Sequence, residues 1–146
     1  MERILRFFSA IALFAAFSAV SPSVFAADWK LVDSDEKTAY YVDAETAGKN
    51  PVSGWVKVEY KDKSDAQKQA SELKKLISDI DWSDLSYICD KVEYRKNGDS
   101  VELQRLCTIF YDSKNNMIYV SNYPTTWEKV EPGTVGHAMY NALEKM

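Results

Sequence analysis

Two long segments of alternating residues, "LSYICDKVEYRK" (85–96) and "SVELQRLCTIFYD" (100–112), flank Asn97-Gly98-Asp99. Asn-Gly between alternating apolar runs is the strongest short-range hairpin signal, because both residues tolerate the positive φ of a tight turn. The middle of the chain is thereby committed to an antiparallel strand pair, and other elements must pack on or beside it. A two-residue Asn97-Gly98 turn opposes Val92 to Leu103, Tyr94 to Val101 and Asp90 to Arg105, good cross-strand pairs. The same register sends Cys89 and Cys107 to opposite faces, since a one-residue slip reverses every side chain. A three-residue loop over Asn97-Gly98-Asp99, or a bulge in either strand, sets the two cysteines directly opposite one another.

The flanking chain supplies more strands and two helices. "DWKLV" (28–32) and "TAYYVD" (38–43) read as strands around the polar turn "SDEK". "AGKNPVSG" (47–54) has loop chemistry. "WVKVEYK" (55–61) alternates Val56, Val58 and Tyr60 against Trp55, Lys57 and Glu59, as a half-buried strand does. The period then changes. Ala66, Ala70, Leu73, Ile77 and Ile80 form one helical stripe, with Ser64 and Gln67 as its capping box. "MIYVSNY" (117–123) is a strand that Pro124 stops, and "TTWEKVE" (125–131) is a short further one on which Trp127 and Val130 alternate inward. Pro132 suits the first position of a closing helix carrying Val135, Met139, Ala142 and Leu143, with the neighbouring glutamates complementing its dipole. Hairpin-joined strands with segregated helices predict an α+β fold: an antiparallel β-sheet of about six to seven strands, one central helix and one C-terminal helix packed on it.

Residues 1–26 stand apart. Arg3 and Arg6 precede a 14-residue apolar run, and "SPSVFA" supplies the small residues of a cleavage site, the order of a secretory signal peptide. Cleavage is expected after Ala26, with Ala27 as the alternative. The apolar run is short for a bilayer core of roughly 30 Å, which sets the alternative of a membrane anchor second and leaves no transmembrane segment expected in the mature chain. Residues 27–146 then form a single exported domain, periplasmic or at the cell surface.

Charge and residue inventory narrow the function. The chain carries 18 Lys and Arg against 22 Asp and Glu, a net charge of −4, without a basic cluster. Nucleic acid is therefore not an expected partner. Cys89 and Cys107 are the only cysteines, and in an oxidising compartment an even pair reads first as one disulfide, with separate buried thiols as the alternative. Two thiols and one remote histidine do not make a structural zinc site, so neither metal nor cofactor is expected. His137, the only histidine, falls on the closing helix beside no evident nucleophile, and the acids Asp33, Asp43, Glu59, Asp90, Glu128 and Glu131 carry no distinguishing context. These features predict a non-enzymatic protein.

Aromatic residues make up 13% of the chain and crowd the strands. Packing accounts for most of them. Tyr41 and Trp55, each on the less apolar side of its strand, are candidates for a partner-binding surface.

The series "WKLV" (29–32), "AYYVD" (39–43), "GWVKVEYK" (54–61), "YICDKVEY" (87–94), "IFYDSKNNMIY" (109–119) and "WEKVEPGT" (127–134) resembles the surface-adhesin protein E family, from Trp29 to about Leu143. The resemblance implies an exported bacterial envelope protein with a helix-packed antiparallel sheet. It also implies adhesion by contact with an extracellular-matrix or serum protein, such as vitronectin or laminin. The alternative is a periplasmic binding or inhibitor module for a small molecule or an envelope enzyme.

Overall fold

A computed structural model describes residues 27–146, so the leader expected over 1–26 lies outside the described residues. The strands are β1 (Trp29–Ser34), β2 (Thr38–Asp43), β3 (Gly48–Lys49), β4 (Val52–Tyr60), β5 (Leu85–Asn97), β6 (Ser100–Asp112), β7 (Met117–Ser121) and β8 (Glu128–Val130). The helices are α1 (Lys63–Leu76) and α2 (Val135–Lys145). The strands make one antiparallel sheet in the order β1-β2-β4-β5-β6-β7, with β3 on β4 and β8 on β6. One edge of β6 serves two short partners in succession. β6 pairs with β8 near Val101–Leu103 and with β7 near Thr108–Tyr111. The predicted α+β architecture is the observed one: β8 is the short strand expected over 125–131, trimmed to three residues, whereas β3 and the first three residues of β4 lie in the segment 47–54 expected to be loop.

Side-chain alternation divides this sheet into two unlike faces. Tyr40, Val56, Val58, Ile88, Val92, Tyr94, Leu103 and Phe110 share one face through the β2–β4–β5–β6 register. Both helices lie on it. α1 brings Ala70 and Leu73 onto Leu85 and Phe110 with Trp82, and α2 brings Met139, Tyr140 and Leu143 onto Val42, Val56, Val92 and Tyr94. Leu73 and Leu143 are fully buried, each contributing roughly 1.5–3 kcal/mol over an exposed position. Trp82 Nε1–H donates to the Ile77 carbonyl at 3.1 Å, and its ring meets Phe110 edge-on at 5.2 Å.

Several local expectations are corrected. The cap of α1 is Asp62, whose Oδ1 accepts from Ser64 N–H at 2.9 Å, so the helix starts ahead of the Ser64–Gln67 box. That helix stops at Leu76. Ile77 and Ile80 still reach the core, but from the following loop, whose carbonyls at Ser78 and Ile80 accept from the Lys74 ammonium. Pro132 precedes α2 instead of opening it. Glu131–Thr134 forms a turn with Gly133 at φ +80°, and Thr134 is the cap. Trp127 does not share a face with Val130. Its ring lies under the Arg95 guanidinium at 4.2 Å, while Val130 is buried beside α2.

The central hairpin also differs from its expected register. Asn97 pairs with Ser100, so the loop is Gly98-Asp99. Gly98 alone of the two has positive φ (+61°), the arrangement of a type II′ turn. Val92 therefore faces Arg105 and Tyr94 faces Leu103, and Leu106 bulges out between the pairs Val92–Arg105 and Lys91–Cys107. The bulge leaves Cys89 opposite Ile109 and Cys107 opposite Lys91. Both thiols are free. They share a face as diagonal neighbours, where Cα atoms stand roughly 7–8 Å apart, beyond the usual span of a disulfide. The expected Cys89–Cys107 bond is therefore not formed.

Candidate functional site

The helix-free face of the sheet carries an aromatic group of its own. Tyr41 pairs with Lys57 across β2 and β4, and Trp55 lies two residues before Lys57 on the same strand, hence on the same face. The apolar cluster here comprises Tyr87, Cys89, Ile109 and Tyr111 with Trp29, Trp55, Cys107 and Val120. Every member comes from β1, β4, β5, β6 or β7, and none from a helix. Tyr87 and Tyr111 stack at 4.7 Å with rings 11° from parallel. The sheet thus covers this side with its own large rings among the described residues.

Lys57 sits at the centre of those rings. Its ammonium is 4.4 Å from the Tyr41 ring centroid, 5.3 Å from Trp29 and 5.6 Å from Tyr87, all within cation–π reach. Glu59 adds an ion pair at 3.4 Å. Burial, and then the nearby Glu59 charge, raises the Tyr41 phenol above its ordinary value. Trp29, Tyr41 and Trp55 are half-buried, and Leu31, which faces Tyr41, is 59% exposed. The two residues singled out from sequence are therefore brought together, and Trp29, Leu31 and Lys57 complete the patch. Alternation on β4 could have placed Lys57 between Trp55 and Glu59. The β1 residues required the β1–β2 register.

Burial holds the Cys89 thiol up at about 12, and it also raises Cys107. Neither is therefore a thiolate nucleophile near neutral pH. His137 lies on α2, its Nδ1 3.2 Å from Asn141 Nδ2 and its ring 6.0 Å from Tyr140.

The opposite face holds a cleft of about 320 Å³ between the sheet, β8 and α2. Its apolar lining includes Val56, Val92, Leu103 and Met139, and five charged residues line it, Asp90, Arg105, Glu128, Lys129 and Glu131, the last two exposed and paired with each other at 3.0 Å. Asp90 accepts a hydrogen bond from Thr108 Oγ1. Arg105 Nε stands 3.5 Å from Asp90 Oδ2, and Arg105 Nη1 3.7 Å from Glu128 Oε2. Burial pushes the Asp90 carboxyl up, against the opposing pull of Arg105 and the Thr108 bond. Nearby, Tyr60 is raised to about 12, by burial first and then by Tyr40 and Asp90. Asp90 and Glu128 look like ordinary surface acids in the sequence. The one available signal was phase, because Asp90 shares the alternation of Ile88, Val92 and Tyr94.

Fold and surface together define an α+β protein whose single antiparallel sheet is helix-covered on one side and ring-covered on the other. The chain matches no protein-family model, no curated protein and no solved structure.

Proposed function

We propose that this chain is an exported, non-enzymatic protein of the periplasm or cell surface that acts by protein–protein contact through its helix-free aromatic face. The observation that carries this reading is the half-exposed group Trp29, Tyr41 and Trp55 beside exposed Leu31, on a face that no described helix covers. Trp and Tyr dominate binding hot spots, since they offer large rigid area at low entropic cost. The resemblance to surface-adhesin protein E points to an extracellular-matrix or serum protein as the partner.

Binding of the purified protein to immobilised vitronectin, laminin and collagen tests this. At least one surface is expected to retain the protein, and Leu31→Lys to weaken that binding about tenfold or more, roughly 1.4 kcal/mol, without changing the melting temperature. Leu31 is exposed enough that its substitution leaves the fold alone. Tyr41→Ala and Trp55→Ala are expected to do the same with some loss of stability. No retention on any of the three, or full retention by all three variants, overturns the reading.

A further inference from the structure

We infer that the cleft between the sheet and α2 is a binding site for a small organic cation, a primary amine carrying a compact apolar body. This site lies on the opposite face from the proposed contact surface and stands independently of it. Its volume of about 320 Å³ falls at the small end of ligand pockets, which are characteristically apolar with a few convergent polar groups. Val56, Val92, Leu103 and Met139 provide the apolar wall. The charged groups are unbalanced: exposed Lys129 and Glu131 at the rim pair with each other, which leaves two carboxylates, Asp90 and Glu128, sharing one guanidinium, Arg105.

Neither carboxylate is saturated by that guanidinium. The separations of 3.5 and 3.7 Å exceed the 2.7–3.2 Å of a direct N–H···O bond. Asp90 uses one oxygen for Thr108, and an ionised carboxylate has about four acceptor positions. Side-chain exposures of 13% for Asp90, 28% for Arg105 and 30% for Glu128 put all three where water is partly excluded and charge counts for more. An ammonium brings three donors and the missing positive charge, and its carbon body meets the valines, Leu103 and Met139. A carboxylate or phosphate ligand would meet three carboxylates against two cations in the same lining.

Titration of the isotope-labelled protein at neutral pH with phenethylamine and hexylamine, against 3-phenylpropanoate, hexanoate and 2-phenylethanol, tests the site by backbone amide shifts. The amines are expected to move the resonances of Val92, Leu103 and Gly136, and the acids and the alcohol to bind at least about tenfold more weakly. Glu128→Gln and Asp90→Asn should each weaken amine binding several-fold while thermal unfolding stays cooperative. Should Asp90→Asn fail to fold, Glu128→Gln decides alone, because Glu128 lies half-buried on β8. Anions binding as tightly as amines, amines shifting other residues, no shift at millimolar amine, or unchanged amine affinity in Glu128→Gln would each overturn the inference.

Discussion

Gly54 and Leu143 pack so closely that a Cβ on Gly54 would meet Leu143 Cδ2 at 2.9 Å. The missing side chain lets α2 settle onto β4, and Leu143 is fully buried as a result. Backbone atoms of Thr46 and Ala47 close the other side at 3.6–3.7 Å, so Leu143 has to give way. Gly54→Ala is expected to cost about 1–3 kcal/mol, the usual range for overpacking. Chemical denaturation measures it, and a variant as stable as the parent contradicts this packing.

The Asp90–Arg105 pair predicts a pH-dependent difference. The folded pKa of Asp90 lies above its ordinary 3.8. Between those two values the folded state binds more protons than the unfolded state, so this group's contribution to stability falls as pH rises through that window. The melting temperature of Asp90→Asn relative to the parent should therefore move in the variant's favour as pH is raised from about 4. A difference that is flat with pH removes the ionisation penalty. Arg105→Leu leaves two carboxylates uncompensated. Its expected cost is about 2–3 kcal/mol, below the 3–5 of a fully buried broken pair because Arg105 is partly exposed.

Thiol titration separates the two cysteines. Cys107 is half-buried and Cys89 fully so. Without reductant, the folded protein should react slowly at Cys107 and not at Cys89, and denaturant should reveal both. No titratable thiol in denaturant would mean that the strands can shift to bond them.

The turn into α2 depends on two residues. Gly133 has φ +80° with open space around it, so Gly133→Ala is penalised by backbone strain alone, about 1 kcal/mol. Thr134 accepts from His137 N–H at 3.4 Å and donates to the Glu131 carbonyl at 2.7 Å. Thr134→Ala should cost about 1 kcal/mol. Equal stability for both variants would show that α2 is held by packing alone.

Much of the strand and helix assignment was legible because it rests on local alternation. Val56, Val58 and Tyr60 against Trp55, Lys57 and Glu59 declare β4 and both its faces. Ala66, Ala70 and Leu73 declare α1. Ends were less legible. Asp62 displaced the Ser64 cap by two residues, and Ile77 and Ile80 kept the helical spacing after the helix had stopped. Pro132 is compatible with both a helix start and a turn, and the positive φ at Gly133 belongs to the turn.

The order of residues by itself determined that this chain is a set of antiparallel strands with two amphipathic helices. Periodicity involves neighbours a few positions apart, and those relations survive in any arrangement of the elements. Only the tertiary structure decided that both helices share one face. It also decided that Leu106 bulges, which left Cys89 and Cys107 diagonal and unbonded, and that Asp90, Arg105 and Glu128 meet in a cleft. Such relations join residues as far apart as Asp90 and Glu128, and a single-residue shift in pairing changes them while the local pattern stays the same.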